Sequence, residues 1–205
     1  DSFCLLRGNF VVNTPFKRQK ESYTYADYLE WPDDERWEII EGAPYNMSPA
    51  PGTEHQQILV ALLLPLANYF KDRNCQVFPA PFDVRLPRGD EKDEEISTVV
   101  QPDITVVFDS SKLDKKGCKG VPDIVVEILS HSTAKKDLSE KFNLYEKNGV
   151  QEYWIIFPWE KAIDIYYLNQ DKRYEKTTTY FARDILTSDL FPNLEIDLAQ
   201  VFEVK

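Results

Sequence analysis

The chain has 205 residues and a formal net charge of −11. That length fits one domain able to bury a substantial core, and the acidity excludes a general nucleic-acid sponge, whose free energy comes from Lys and Arg displacing phosphate counterions. Apolar runs fall short of the roughly 20 residues that span a bilayer, the longest, Ile58 to Leu66, being broken by Pro65, so no membrane partner is expected.

Residues 1–22 mix apolar and basic side chains, with Arg7 interrupting any signal-like core, and read as an arm preceding a single domain over residues 23–205. Tyr23 to Trp31 carries a short helical pattern ending at Pro32. Arg36 to Ile40 reads as a strand turning at Glu41-Gly42, an N-terminal hairpin extension. From about His55 to Lys71 the apolar Ile58, Leu62, Leu66, Tyr69 and Phe70 fall on one helical face. Pro65 inside that helix should kink it or cost about 3 kcal/mol, unless the segment divides in two.

Strands follow at Cys75 to Phe78 and through the alternating Phe82, Val84 and Leu86, then an acidic, solvated loop over Asp90 to Glu95. Val99 to Phe108 and Asp123 to Leu129 are nearly continuous in apolar residues, as central strands covered on both faces should be. A helix runs from about Thr133 to Lys147 and stops at Asn148-Gly149, and Tyr153 to Phe157 and Ile163 to Leu168 are the last strong strands. The order helix, three strands, helix, two strands (αβββαββ) predicts an α/β fold with a mixed β-sheet flanked by helices. Cys4, Cys75 and Cys118 form neither a CxxC pair nor a disulfide framework, which fits a reducing, cytoplasmic setting.

Two carboxylates stand out because they interrupt apolar strands. They are Asp103 in Gln-Pro-Asp-Ile-Thr-Val-Val and Glu127 in Val-Pro-Asp-Ile-Val-Val-Glu-Ile-Leu-Ser. A buried ionised carboxylate is costly unless a cation or hydrogen-bond donors compensate it, so the pair suggests a metal site. Asp123 shares the face of Glu127 but lies roughly 13 Å along the strand, too far to chelate the same ion. The competing assignment for Glu127 is a buried ion pair with an Arg or Lys. In the following helix, with Leu138 taken as the centre of a buried stripe that includes Phe142 and Tyr145, Lys141 and Lys135 flank the stripe while Lys136 and Lys147 point outward. Either flanking lysine could reach the sheet end. His55 and His131 are too few and too far apart in sequence to suggest a zinc site, and Gly-rich phosphate loops, a Ser nucleophile elbow and CxxC pairs are absent.

Asp103, then Glu127 on the next strand, then a lysine-bearing helix, resembles the PD-(D/E)XK nuclease superfamily. More specific is a resemblance to the Uma-two family of restriction endonucleases, carried by Trp37-Glu38-Ile39-Ile40-Glu41-Gly42, Met47-Ser48-Pro49, the His55 helix, Gln101-Pro102-Asp103, Pro122 to Ser130, Glu140-Lys141 to Tyr145, and Gly149 to Trp154. The tail Leu190-Phe191-Pro192-Asn193-Leu194 also recurs there, so the resemblance spans roughly residues 23–202. It implies a restriction-endonuclease-like core in which Asp103, Glu127 and the Ile128 carbonyl ligate Mg²⁺, with Mn²⁺ as a substitute. The superfamily pattern places Lys two residues after the Glu, where this chain has Leu129. The resemblance instead ranks Lys141 first and Lys135 second, with Glu38 and His55 as accessory residues. It further implies metal-assisted hydrolysis of DNA phosphodiester bonds by a metal-dependent endodeoxyribonuclease. Two rivals are a nuclease fold that binds nucleic acid without cutting it, and a structural or partner-binding protein. A homodimer is expected by analogy with enzymes that cut both strands.

Overall fold

The computed structural model describes residues 20–32, 34–47 and 50–203, so the arm expected over residues 1–22 lies outside the described residues up to 19, as does the Ser48-Pro49 pair. The chain begins with α1 (Tyr25–Tyr28), the hairpin β1 (Trp37–Ile40) and β2 (Ala43–Asn46), and the long helix α2 (Thr53–Phe70). Next come β3 (Gln76–Pro79), β4 (Val84–Arg85), β5 (Val99–Val100), β6 (Ile104–Val107), β7 (Leu113–Asp114), β8 (Gly117–Lys119) and β9 (Ile124–Ile128). A helical crossover, α3 (Ala134–Lys136), a π-helical turn (Asp137–Lys141) and α4 (Phe142–Asn148), leads to β10 (Glu152–Phe157), β11 (Ala162–Leu168) and β12 (Tyr174–Phe181). The chain closes with β13 (Ile185–Thr187), β14 (Glu195–Asp197) and α5 (Leu198–Phe202).

Two mixed sheets result. The main sheet has the order β12-β11-β10-β9-β6-β3, and a second sheet of mostly short strands has the order β2-β1-β5-β4-β8-β7. Within the main sheet β9 and β10 are parallel, Glu127 opposite Ile155 and Ile128 opposite Ile156, as a helical crossover requires. Strict alternation along β9 explains its burial on both faces. Ile124, Val126 and Ile128 pack with Leu62, Leu66 and Phe70 of α2, while Val125 joins Leu129, Tyr145 and residues of the second sheet such as Val84 and Val100. Each such side chain contributes about 1.5–3 kcal/mol on burial. Glu127 lies on this second, sheet-facing side.

Several expectations need correction. Val99 to Phe108 is not one strand: it ends β5 in the second sheet and restarts as β6 in the main sheet, with Gln101-Pro102-Asp103 between. Pro102 lacks the N–H a continuous ladder needs. The simple αβββαββ order is thereby interleaved with strands of the second sheet, and β12 extends it. Helix α2 runs unbroken through Pro65, because Ile58, Leu62, Leu66 and Phe70 anchor the turns on both sides of the missing hydrogen bond. Leu138 is 44 % exposed rather than central to a buried stripe. The π-helical turn holds one residue more than an α-turn, which rotates everything beyond it by about 100° relative to an ideal helix. The helix does end at Gly149, whose φ of 89° is the left-handed conformation glycine adopts without a Cβ penalty.

Candidate active site

The second sheet, the main sheet, the start of α2 and the crossover helix meet at a cavity of 430 Å³, whose lining includes His55, Asp103, Glu127, Ile128, Lys136 and Lys141. Asp103 reaches it because the Pro102 break turns the chain from one sheet to the other just before β6. Its Oδ2 accepts the Ile128 backbone N–H at 2.7 Å, and His55 Nε2 lies 3.2 Å from the same oxygen. Aspartate is thus fixed to the strand that carries Glu127.

Glu127 projects from the middle of β9. Its Oε1 accepts hydrogen bonds from Lys141 Nζ at 2.7 Å and from the Tyr145 hydroxyl at 2.8 Å. The buried ion pair weighed as a competitor to a metal site is therefore present, and it involves one of the two lysines the helix offered. Lys141 Nζ also lies 2.7 Å from Glu38 Oε1 and 3.9 Å from Asp137 Oδ1. Glu38, on β1, takes a further bond from Lys136 Nζ at 2.6 Å and one from the Gln101 backbone N–H at 2.9 Å. All of these groups but Lys136 are buried.

Charge counting explains how they titrate. Three carboxylates, Glu38, Glu127 and Asp137, face two ammonium groups, so full ionisation leaves one uncompensated negative charge on largely buried side chains. Burial pushes Glu127 up to about 8, and the neighbouring acids add to that against the pull of Lys141. Burial likewise raises Asp137. For Glu38 burial also pushes upward, but Lys141 and Lys136 prevail and hold it below the usual carboxylate range. Burial opposes the charge on Lys141, yet Glu127, Glu38 and Asp137 together hold its ammonium well above the ordinary lysine value. Burial thus favours a proton on Glu127 and Asp137, while the two lysines keep Glu38 ionised. His55 is raised too, because its contact with Asp103 outweighs the desolvation that would lower it.

Asp103 Oδ1 and Glu127 Oε2 accept no hydrogen bond from the described residues, which leaves one oxygen of each carboxylate to coordinate a cation. No group of three or more His, Cys, Asp or Glu with metal-holding geometry occurs among the described residues. Two carboxylates beside a cavity roomy enough for water fit Mg²⁺, which retains several waters and binds through one or two carboxylates. They do not fit a zinc cage of four nitrogen and sulfur ligands.

A sequence profile described as "Putative restriction endonuclease", Uma2, matches residues 25–199. The chain belongs to the Uma2 family. It is 27 % identical over 150 residues to the uncharacterized protein slr1290 of a Synechocystis species, an alignment covering 71 % of this chain and 74 % of that one. Its fold is similar to the crystal structure of a "putative nuclease belonging to DUF820" from Anabaena variabilis, with a TM-score of 0.64 at 20 % identity over 88 % of this chain and 97 % of that chain.

Within this Uma2 domain Asp103, Glu127, Lys141 and His55 converge on one cavity, with Glu38 directly behind. Lys135 does not join them: it is exposed and absent from the cavity lining, while Lys136, taken from helix phase as outward-pointing, holds Glu38. The π-helical turn is the cause again, since the ideal phase was carried across it. Asp137, Tyr145 and Gln101 went unrecognised. Asp137 had a readable signal, its (i, i+4) spacing to Lys141. Gln101 had only its place in the Gln101-Pro102-Asp103 family segment, which gave no hint that its side chain joins Arg36, Tyr28 and Asp83 or that its backbone holds Glu38.

Proposed function

We propose that this Uma2 domain, spanning residues 23–205, is a Mg²⁺-dependent endonuclease that hydrolyses DNA phosphodiester bonds, with Mn²⁺ able to substitute. The observation that carries the proposal is the convergence of Asp103 and Glu127 on one cavity, with the buried Lys141 ammonium 2.7 Å from Glu127. Asp103 and Glu127 would hold the ion, with the Ile128 carbonyl as a third ligand. When bound, Mg²⁺ supplies a Lewis acid for the phosphate and a water of lowered pKa.

The protein's own groups do the rest. His55 and the Ile128 N–H fix the rotamer of Asp103, so its free oxygen stays aimed into the cavity. Lys141 keeps its proton through the neutral range and offers positive charge to the developing phosphate oxygens, occupying by way of the helix the role that the superfamily gives to a strand lysine. Glu38 and Lys136 position Lys141 from behind. Glu127 must release its proton to serve as an anionic ligand. We place the enzyme in the cytoplasm, where Cys75 and Cys118 are free thiols in this structure, and as a homodimer that would present two sites to two strands.

The test is plasmid cleavage with Mg²⁺ or Mn²⁺. Nicking by the parent that is lost in D103N and E127Q supports the proposal, whereas tight DNA binding without metal-dependent cleavage would make the domain a non-cleaving binder. Failure of either metal to bind at millimolar concentration would point to a structural or partner-binding protein.

A further inference from the structure

Parallel pairing brings two aromatic residues together beside the cavity. Ile128 lies opposite Ile156 at the ends of β9 and β10, so residues three further on, His131 and Trp159, leave the sheet at the same edge. Their rings stack with centroids 4.8 Å apart and planes inclined by 8°. Trp31, Trp37 and Trp154 are buried, whereas Trp159 is 44 % exposed and His131 is exposed as well. Ser130 and Ser132, on either side of His131, line the cavity that holds Asp103 and Glu127. Three residues of chain span at most about 10 Å, which puts the stacked pair within a nucleotide or two of a phosphate held there.

Neither ring belongs to any of the apolar clusters that form the described core, so the stack presents its outer faces to solvent. Resting on the reading of the cavity as a nuclease site, we propose that His131 and Trp159 form a platform for an unpaired base of single-stranded or locally unpaired DNA, next to the scissile phosphate. Paired bases in the interior of a duplex cannot offer a face to such a platform, but a splayed base extends the stack by one ring whatever its identity. Stacking also answers the charge problem. A chain of net charge −11 gains little from counterion release, so holding a strand needs a term that does not depend on surface lysines.

Quenching of Trp159, the single exposed tryptophan among the described residues, reports the contact in the parent, and the anisotropy of end-labelled strands gives the affinity of parent and variants alike. Short oligothymidylate, an abasic strand of equal length and charge, and a blunt duplex are titrated into the full chain with Ca²⁺ replacing Mg²⁺. The expected result is quenching of emission and tighter binding by oligothymidylate than by the abasic strand, a roughly tenfold loss of that affinity in W159A and most of it retained in W159F. H131A should give a smaller loss, and unchanged thermal unfolding checks that each variant is folded. Equal binding of thymidylate and abasic strands, thymidylate affinity unaffected in W159A, or binding of duplex alone would overturn the platform while leaving the nuclease reading intact. A parent chain that binds no DNA of any kind would overturn both.

Discussion

Replacing Lys141 by Met tests whether the buried charge cluster behaves as its geometry requires. The substitution removes the ammonium that bonds both Glu38 and Glu127 at 2.7 Å while keeping an unbranched side chain only one atom shorter. Removing one partner of a buried pair costs about 3–5 kcal/mol when the remaining charge has no other recourse. Here there is recourse: Glu127 already titrates near 8, so in mildly acidic solution it is neutral in both proteins, and Glu38 keeps Lys136 and the Gln101 N–H. The loss at about pH 6 should then be only about 1–2 kcal/mol, from the weakened hold on Glu38. Without Lys141 the folded-state value of Glu127 rises further. Above about pH 8 the folded variant retains a proton that the unfolded chain has released, and its stability falls by about 1.4 kcal/mol per pH unit more than the parent's. Near pH 9 the difference should reach about 3 kcal/mol. Urea unfolding followed by circular dichroism at several pH values measures it, provided the m-value is unchanged. A loss independent of pH, or a variant as stable as the parent in alkali, would show that Glu127 and Lys141 are not coupled as the structure places them. Adding E127Q to K141M should recover much of the alkaline loss, since the double variant leaves no acid to ionise there.

Other outcomes follow from the same site. Mg²⁺ affinity measured by calorimetry should strengthen as pH rises to about 8 and then level off, with proton release on binding, because the ion takes the place of the Glu127 proton; affinity flat across that range would count against Glu127 as a ligand. H55A should lower cleavage roughly 10- to 100-fold by loosening Asp103, the effect of losing a supporting hydrogen-bond partner at a metal ligand, and activity equal to the parent's would remove His55 from the site. K135A, by contrast, should leave nicking rates unchanged while K136A reduces them, because only Lys136 contacts Glu38; the reverse order would mean that the helix phase is misassigned. Chelation by EDTA should abolish cleavage, with full recovery on adding excess Mg²⁺.

Much of the site could be read from residue order because strands obey a strict period. Alternation along β9 places Glu127 on the face opposite Ile124, Val126 and Ile128, and both faces are buried as the apolar run requires. Helix periodicity served less well. A single π-helical turn over Asp137–Lys141 moves Leu138 outward and brings Lys136 to Glu38, and local sequence carries no mark of that turn. The second sheet was hidden for another reason. Val84–Arg85 and Val99–Val100 fall inside stretches that read as strand, but pairs this short carry nothing that says which sheet they join, though Pro102 inside an apolar run does announce a break. Strand β12 escaped notice because its Thr-rich edge is largely exposed and so shows no buried alternation.

The turn at Gln101-Pro102-Asp103 carries one chain segment from one sheet to the other, and the acidic centre straddles that seam. Glu38 belongs to one sheet and Glu127 to the other, and Lys141, which bonds both, lies 103 residues after Glu38 in the chain. Contacts of such sequence separation form only after long loops have closed, so they belong to the slow, late stages of assembly. No isolated hairpin or helix of this chain can hold the constellation, and chains whose two sheets have not docked will be inert however much secondary structure they contain. If the proposed nuclease reading holds, cleavage activity reports completed tertiary docking, and its recovery during refolding should lag behind the return of the helical signal.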